Sequence, residues 1–185
     1  LPNGVIITSQ HVVGYERDVL VTGDDGNVAP AIVVRVNVAL DIALLIPTDA
    51  FKSKSIKLGS APPKLGEQVV LLGRAGPEAL AVMTTVAAAE RPFDGLAFMQ
   101  INGEPDPELC GGAVVDASGR LVGSLVRPRR RQSDGAWVHN LVLPLAAFEG
   151  GLMSVDGPAD QISGLVPEYG CPRCDTVFET CLHRC

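Results

Sequence analysis

Three features of this 185-residue chain predict an all-β fold. Short Val/Leu/Ile runs recur along it, clusters of turn-forming residues separate them, and Gly (20) and Pro (14) are plentiful while aromatics make up only 4%. Runs of that length bounded by Gly, Pro, Asn and Asp are what short strands and tight turns require. With 46% apolar and 19% charged residues the composition is globular, and the length suffices for a domain with its own core. A net charge of −6 makes no general case for nucleic-acid binding. No apolar run reaches membrane-spanning length, and no signal peptide is visible. The chain opens at Leu1 within a strand-like stretch, as an N-terminally trimmed chain would, an expectation that keeps export open.

The elements follow in order. GVIITSQHVV (4–13), VLVTG (19–23), PAIVVRVNV (30–38) and DIALLIP (41–47) read as strands, separated by the turn-rich GYERD and DDGN. FKSKSIKLGSAPPKLGE is a loop whose Gly, Pro and Lys content suits a boundary between two halves. Strands resume at QVVLLG (68–73), AVMTTVAAAE (81–90), LAFMQI (96–101), GAVVD (112–116), RLVGSLV (120–126) and AWVHNLVLP (136–144), and PLAAFEGGL suits a short closing helix. Residues 151–170 read as a linker, and residues 171–185 as a Cys-rich tail that ends inside a second metal-binding turn if it is truncated.

Three stretches carry the chemistry. ITSQHVV ends a strand in a small polar turn with His11, VALDIALLIP puts Asp41 at the head of an apolar strand, and PELCGGAVVD places Cys110 before Gly111-Gly112 at the start of another. A thiol or hydroxyl nucleophile needs a base within hydrogen-bond reach, and the base needs a third group to fix its tautomer. Histidine, aspartate and cysteine in these contexts supply those three types. Taken singly, a histidine after a strand is a structural residue more often than a base, and a lone cysteine is a small buried hydrophobe.

These stretches resemble trypsin-like proteases of the HtrA/Deg family, whose motifs run T-N-A-H-V-V, D-L-A-L-L and N-P-G-N-S-G-G-P-L in the same order. VTGDDGNVAPAIVVRVN resembles the family's first hairpin, SIKLGSAPPKLGEQVVLLGRAG its passage into the second half, and MQINGEPDPELCGG its approach to the nucleophile. The resemblance covers residues 4–150. It implies two six-stranded-type antiparallel β-barrels, one over about residues 1–60 and one over about 65–150, within a protease domain spanning residues 1–150. It also implies His11 as base, Asp41 as its orienting group and Cys110 in the place of the serine, converging between the barrels to cleave a peptide or protein substrate through a thioester. The backbone N–H groups of Glu108 and Cys110 would form the oxyanion hole. His139 and Leu141 would touch the substrate side chain, and a homo-oligomer is compatible with the family. Cysteine in this role has a parallel in picornavirus-type proteases, which carry G-x-C-G-G.

The departures cluster at the nucleophile. Glu108 stands where the family has Gly, Leu109 replaces Asn or Asp, and Ala113 replaces Pro. A side chain restricts the backbone freedom a Gly permits, and a carboxylate near a developing oxyanion is unfavourable. Two readings therefore stay open, a Cys-His-Asp peptidase and a pseudoprotease that keeps the fold as a binding or assembly module.

The tail CPRCDTVFETCLHRC spaces its cysteines as C-x2-C-x6-C-x3-C. Cys171, Cys174, Cys181 and Cys185, or His183 in place of the last, make a tetrahedral zinc set. Fifteen residues cannot build a core, so metal would supply the folding energy. Two disulfides are the competing arrangement in an exported chain. A thiolate–zinc tail favours the cytoplasm, whereas the family resemblance admits the periplasm or another exported location. The basic run RPRRRQ (127–132) reads as a solvated hairpin tip or, more sharply, as an anion-binding site, and ERPFDG (90–95) as a loop.

Overall fold

The computed structural model describes residues 4–23, 25–51, 54–76, 79–93, 96–131, 133–148, 168–170 and 177–178. Two compact units divide the chain, Leu1–Ile56 with Gly151–Cys185, and Lys57–Gly150.

The first unit holds strands β1 (Ile6–Thr8), β2 (Asp18–Thr22), β3 (Val28–Asn37) and β4 (Ile42–Pro47), with a single helical turn α1 (Gln10–Val13) between β1 and β2. Antiparallel pairing runs β1 to β4, β4 to β3 and β3 to β2. The run IALLI in β4 is apolar without alternation because both its faces are covered. Ala43 and Leu45 pack with Ala31, Val33 and Val36 on one side, and Leu44 and Ile46 with Val5 and Val34 on the other. β3 serves both clusters by alternation, and a bulge between Val33 and Arg35 brings Val36 onto the side of Ala31 and Val33, since one extra residue reverses the faces that follow it.

In the second unit, β5 (Gln68–Ala75), β6 (Ala79–Phe93), β7 (Leu96–Ile101), β8 (Ala113–Asp116), β9 (Leu121–Leu125) and β12 (Leu141–Pro144) close a barrel in the order β12-β7-β6-β5-β8-β9. Val69, Leu71, Ala87, Met99, Ile101, Leu109, Val114, Val122, Leu125 and Val142 form its core. A two-stranded ribbon, β10 (Arg129–Arg130) with β11 (Trp137–Val138), lies between β9 and β12 in the chain. A closed barrel was expected twice; among the described residues it is found once, and the first unit is a six-stranded sheet. Two strands of that sheet are unexpected. Residues 168–170, within the stretch read as linker, form β13, which pairs parallel with β3 and antiparallel with β14 (Val177–Phe178).

Three other elements differ from the sequence reading. The strand expected over 4–13 stops at Thr8, because Asp41 takes up the N–H groups of Gln10 and His11 and starts α1 instead. The strand expected over 136–144 breaks at residues 139–140, where the Asn140 amide donates to the carbonyls of Ile101 (2.5 Å) and Gly103 (3.0 Å). Residues 90–93 belong to the β6–β7 hairpin rather than to a loop, with Phe93 opposite Leu96. The short closing helix is a 3₁₀ turn, Leu145–Phe148. Among the described residues no helix is long and apolar enough to cross a membrane.

Barrel closure depends on a close approach at Gly123. A Cβ there would lie 2.5 Å from the Leu143 carbonyl oxygen and 2.7 Å from Val142 Cγ1, both on the neighbouring β12. Backbone cannot yield as a flexible side chain can, so Gly123→Ala is expected to destabilise the protein by about 1–3 kcal/mol, the range of overpacked cores. Urea unfolding measures this, and a midpoint equal to that of the wild type would contradict the tight β9–β12 contact.

Candidate active site

Asp41 organises the site residues of the first unit. It sits where β3 turns into β4, with φ of 61°, a left-handed conformation that Asp tolerates better than most side chains. The turn is held by the Asn37 side chain, whose Oδ1 accepts from Leu40 N at 2.9 Å, and by Asp41 N donating to the Val38 carbonyl at 3.3 Å. The carboxylate is fully buried. Its backbone carbonyl accepts from Gln10 N at 3.1 Å and its Oδ1 from His11 N at 3.0 Å, so Asp41 caps α1 from across the chain. Ser9, at the N-cap position, accordingly makes no side-chain cap.

His11 Nδ1 lies 2.9 Å from Asp41 Oδ1 and 2.8 Å from Oδ2. A carboxylate can only accept, so this hydrogen bond needs the proton on Nδ1, and the neutral ring then has its lone pair on Nε2. The imidazole is about a third exposed (35%) while the carboxylate is fully buried, which leaves the ring reachable and its partner fixed. This is the arrangement of a histidine prepared to take a proton at Nε2.

Cys110 belongs to the second unit. Leu109 plugs the barrel core, and Cys110 packs partly buried against the same cluster. The thiol donates to the Val126 carbonyl at 3.6 Å, long but within reach for sulfur. Gly111 has φ of 86°, and Gly112 allows no side chain, since a Cβ would meet the carbonyl oxygens of Leu72 and Leu109 at 2.6 and 2.7 Å. The GG pair thus serves the turn itself, whatever the residue before it does.

The two N–H groups expected to form an oxyanion hole are engaged within their own loop. Pro107–Leu109 is a 3₁₀ turn, capped by Asp106 Oδ1 accepting from Glu108 N at 2.9 Å. Cys110 N donates to the Pro107 carbonyl at 3.2 Å, and Gly111 N to the Leu125 carbonyl at 2.7 Å. Asp106 was missed in the sequence, although Asp followed by Pro and Glu is a helix-start signature. Glu108 itself is exposed.

Of the residues expected to touch substrate, His139 is exposed, whereas Leu141 is completely buried and offers no surface in this conformation. Asn140 between them was not singled out, yet it ties the entry of β12 to the end of β7. The basic run is largely committed to its own hairpin. Arg131 pairs with Asp134, Arg130 Nε donates to the Gly135 carbonyl at 3.0 Å, and the Arg129 guanidinium stacks 4.5 Å from the centre of the Phe98 ring. The hydrogen bond from Arg131, followed by that from Ala136 N, pulls the Asp134 carboxyl down to about 2. These contacts fit the hairpin-tip reading better than an anion site. Among the described residues no group of His, Cys, Asp and Glu is placed to hold a metal, and Cys171, Cys174, Cys181, His183 and Cys185 lie outside the described residues.

Comparison with known proteins places this geometry in a family. Residues 2–123 match the trypsin-like peptidase domain. The chain is 34% identical over 136 residues to a protein described as serine protease HtrA-like from Staphylococcus haemolyticus, covering 64% of this chain and 21% of that protein. It is 33% identical over 132 residues to the mitochondrial serine protease HTRA2 of Bos taurus, covering 65% of this chain and 28% of that one. A structure of the HtrA-type protease AlgW with a tripeptide superposes with a TM-score of 0.64 at 25% identity, over 78% of this chain and 50% of that one. The chain thus spans well under a third of the length of the two curated relatives. The family match covers most of both units described above, and the chain belongs to the trypsin-like peptidase domain family.

Proposed function

We propose that this chain is the endopeptidase domain of an HtrA-type protease in which Cys110 takes the place of the serine. The observation that carries the reading is the His11–Asp41 pair, an imidazole about a third exposed whose Nδ1 is held by a buried carboxylate. Peptide substrates agree with the HtrA-type protein solved with a tripeptide. The reading requires the Cys110 thiol to come within hydrogen-bond reach of His11 Nε2. His11 then takes the thiol proton as sulfur attacks the scissile carbonyl. The tetrahedral intermediate collapses with cleavage of the C–N bond, and His11 returns the proton to the leaving amine. Water, deprotonated by His11, attacks the thioester, and the acid leaves as the Cys110 thiol is regenerated.

One observation favours a second reading, a non-catalytic binding module. The N–H groups of Glu108 and Cys110 donate to Asp106 and Pro107, and an oxyanion would have to win them back. Loss of one such donor costs about 10²–10³ in kcat.

The two readings part on thiol reactivity and on turnover of a peptide library. In the peptidase, iodoacetamide alkylates Cys110 quickly near neutral pH, His11→Ala slows that labelling, and Cys110→Ala abolishes cleavage. Glu108→Gly, restoring the residue the family carries, raises kcat by about tenfold or more if the loop is what holds activity down. An inert Cys110 in wild type, with no cleavage by either wild type or Glu108→Gly, establishes the binding module.

For the tail, we infer a zinc site formed by Cys171, Cys174, Cys181 and either Cys185 or His183. The support is their spacing, together with the antiparallel pairing of β13 and β14 on either side of CPRCDT. The purified protein should carry about one zinc per chain, a stoichiometry set by one tetrahedral set of four ligands. Metal analysis of wild type beside Cys171→Ala/Cys174→Ala decides it. Equal zinc in both, or a metal-free wild type whose mass shows disulfides, rejects the site.

A further inference from the structure

We propose that the outer edge of β2 is a self-complementary docking edge, on which a second copy of this chain pairs in antiparallel register about Leu20. Among the described residues β2 is held on one side only, by β3, from Asp18 opposite Ile32 to Thr22 opposite Val28. In an antiparallel pair, successive residues alternate between exchanging both backbone bonds with their partner and turning both groups away from it. Pro30 shows which residues of β2 do which. It has no N–H to give, and its carbonyl accepts from Thr48 N at 3.0 Å, so it directs nothing at Leu20 opposite. Arg17 O, one step before the strand, accepts from Val33 N at 2.8 Å. The backbone groups of Val19 and Val21 therefore face β3, and those of Asp18, Leu20 and Thr22 point outward. These outward groups meet no partner among the described residues.

An edge of this kind is ordinarily blunted by Lys, Pro, a bulge or inward-pointing charge. β2 reads DVLVT, its one charge stands at the end of the strand, and its pairing with β3 has no register shift. Leu20 is 72% exposed on one face, while Val19 and Val21 reach the rim of the Ala31–Val33–Val36 cluster on the other and stay partly buried. Both faces thus end in apolar side chains beside an open ladder. The strand's own sequence points to its partner. Val19-Leu20-Val21 is the same in either direction, and the polar ends differ, one a carboxylate and one a hydroxyl. A two-fold axis through Leu20 sets Leu20 against its counterpart, Val19 against Val21, and Asp18 against Thr22. Leu20 then exchanges both backbone bonds with its counterpart, and Asp18 exchanges its own with Thr22 across the axis, where the hydroxyl can donate to the carboxylate. Moving the axis to Asp18 would bring two carboxylates face to face, and moving it to Thr22 would put Val21 against Gly23. The edge therefore complements itself in one register. A strand of 5 residues falls far short of the roughly 20–30 residues a side of a standard interface, so the dimer is reversible and depends on concentration.

The dimer stands apart from the chemistry of Cys110, and its test reads no turnover. Sedimentation of the full chain is followed from micromolar to submillimolar concentration for wild type, Leu20→Lys and Leu20→Pro. The first variant sets like charges opposite each other across the axis, and the second removes an outward N–H that β3 does not use. Wild type is expected to pass from monomer to dimer over that range, and each variant to weaken association at least tenfold. In amide hydrogen exchange, Leu20 and Thr22 should exchange at least tenfold more slowly in concentrated than in dilute wild type, whereas Val19 and Val21, bonded to β3, change far less. A wild type that stays monomeric, or a dimer that both variants leave intact, overturns the proposal. Slow exchange at Leu20 that does not vary with dilution overturns it too, because a segment of the same chain then covers the edge. If a variant loses its far-UV circular dichroism it has unfolded, and the dilution dependence of the wild-type amides alone decides.

Discussion

Burial of one carboxylate sets the terms for the whole N-terminal unit. Asp41 is shut off from solvent, and a buried charge persists only where hydrogen bonds replace the water it lost. Its partners come from α1 and His11, residues that the strand pairing does not otherwise fix. The carboxylate thus determines that the chain leaves β1 in a helical turn, that His11 faces it, and that the proton sits on Nδ1. Substituting an apolar residue would relieve the burial but strand the backbone N–H of His11 and its ring Nδ1, so the position is held by what surrounds it.

The opposite logic operates at the nucleophile loop. A backbone N–H aimed at a vacant oxyanion site has no protein partner, and a loop free to turn those groups inward will do so. Asp106 and Pro107 supply the inward acceptors, Pro107 supplies a φ suited to the first position of a 3₁₀ turn, and Leu109 anchors the turn in the barrel core. Where the family has Gly, Glu108 narrows the conformations that could turn the groups outward again. Each of these choices favours the closed loop, and none touches the strands of the barrel.

Strand positions were legible because most of the apolar runs end at Gly, Pro, Asn or Asp, and LAFMQI was legible to the residue. The His11–Asp41 pairing was legible as motif order alone, since spacing along the chain says nothing of burial. What escaped were contacts made across the chain. Nothing within residues 4–13 announces α1, whose cap arrives from Asp41. Nothing in AWVHNLVLP marks the break at Asn140, whose amide serves β7. The strand at 168–170 was illegible for the same reason: three residues of ordinary composition become a strand by pairing with Arg35–Asn37 of β3.

Fold and chemistry have separate supports in this chain. The barrel depends on alternation, on Gly112 and Gly123 at close approaches and on a continuous core, all of which persist whether or not Cys110 reacts. Membership of the family therefore constrains the backbone around Cys110 without fixing what its sulfur does. The local electrostatics cut the other way. The Cys110 thiol donates to the Val126 carbonyl, so its proton is engaged within its own unit. Within the second unit, the two proposed readings turn on the hydrogen bond that the thiol gives to Val126 and on the inward turn of two backbone amides.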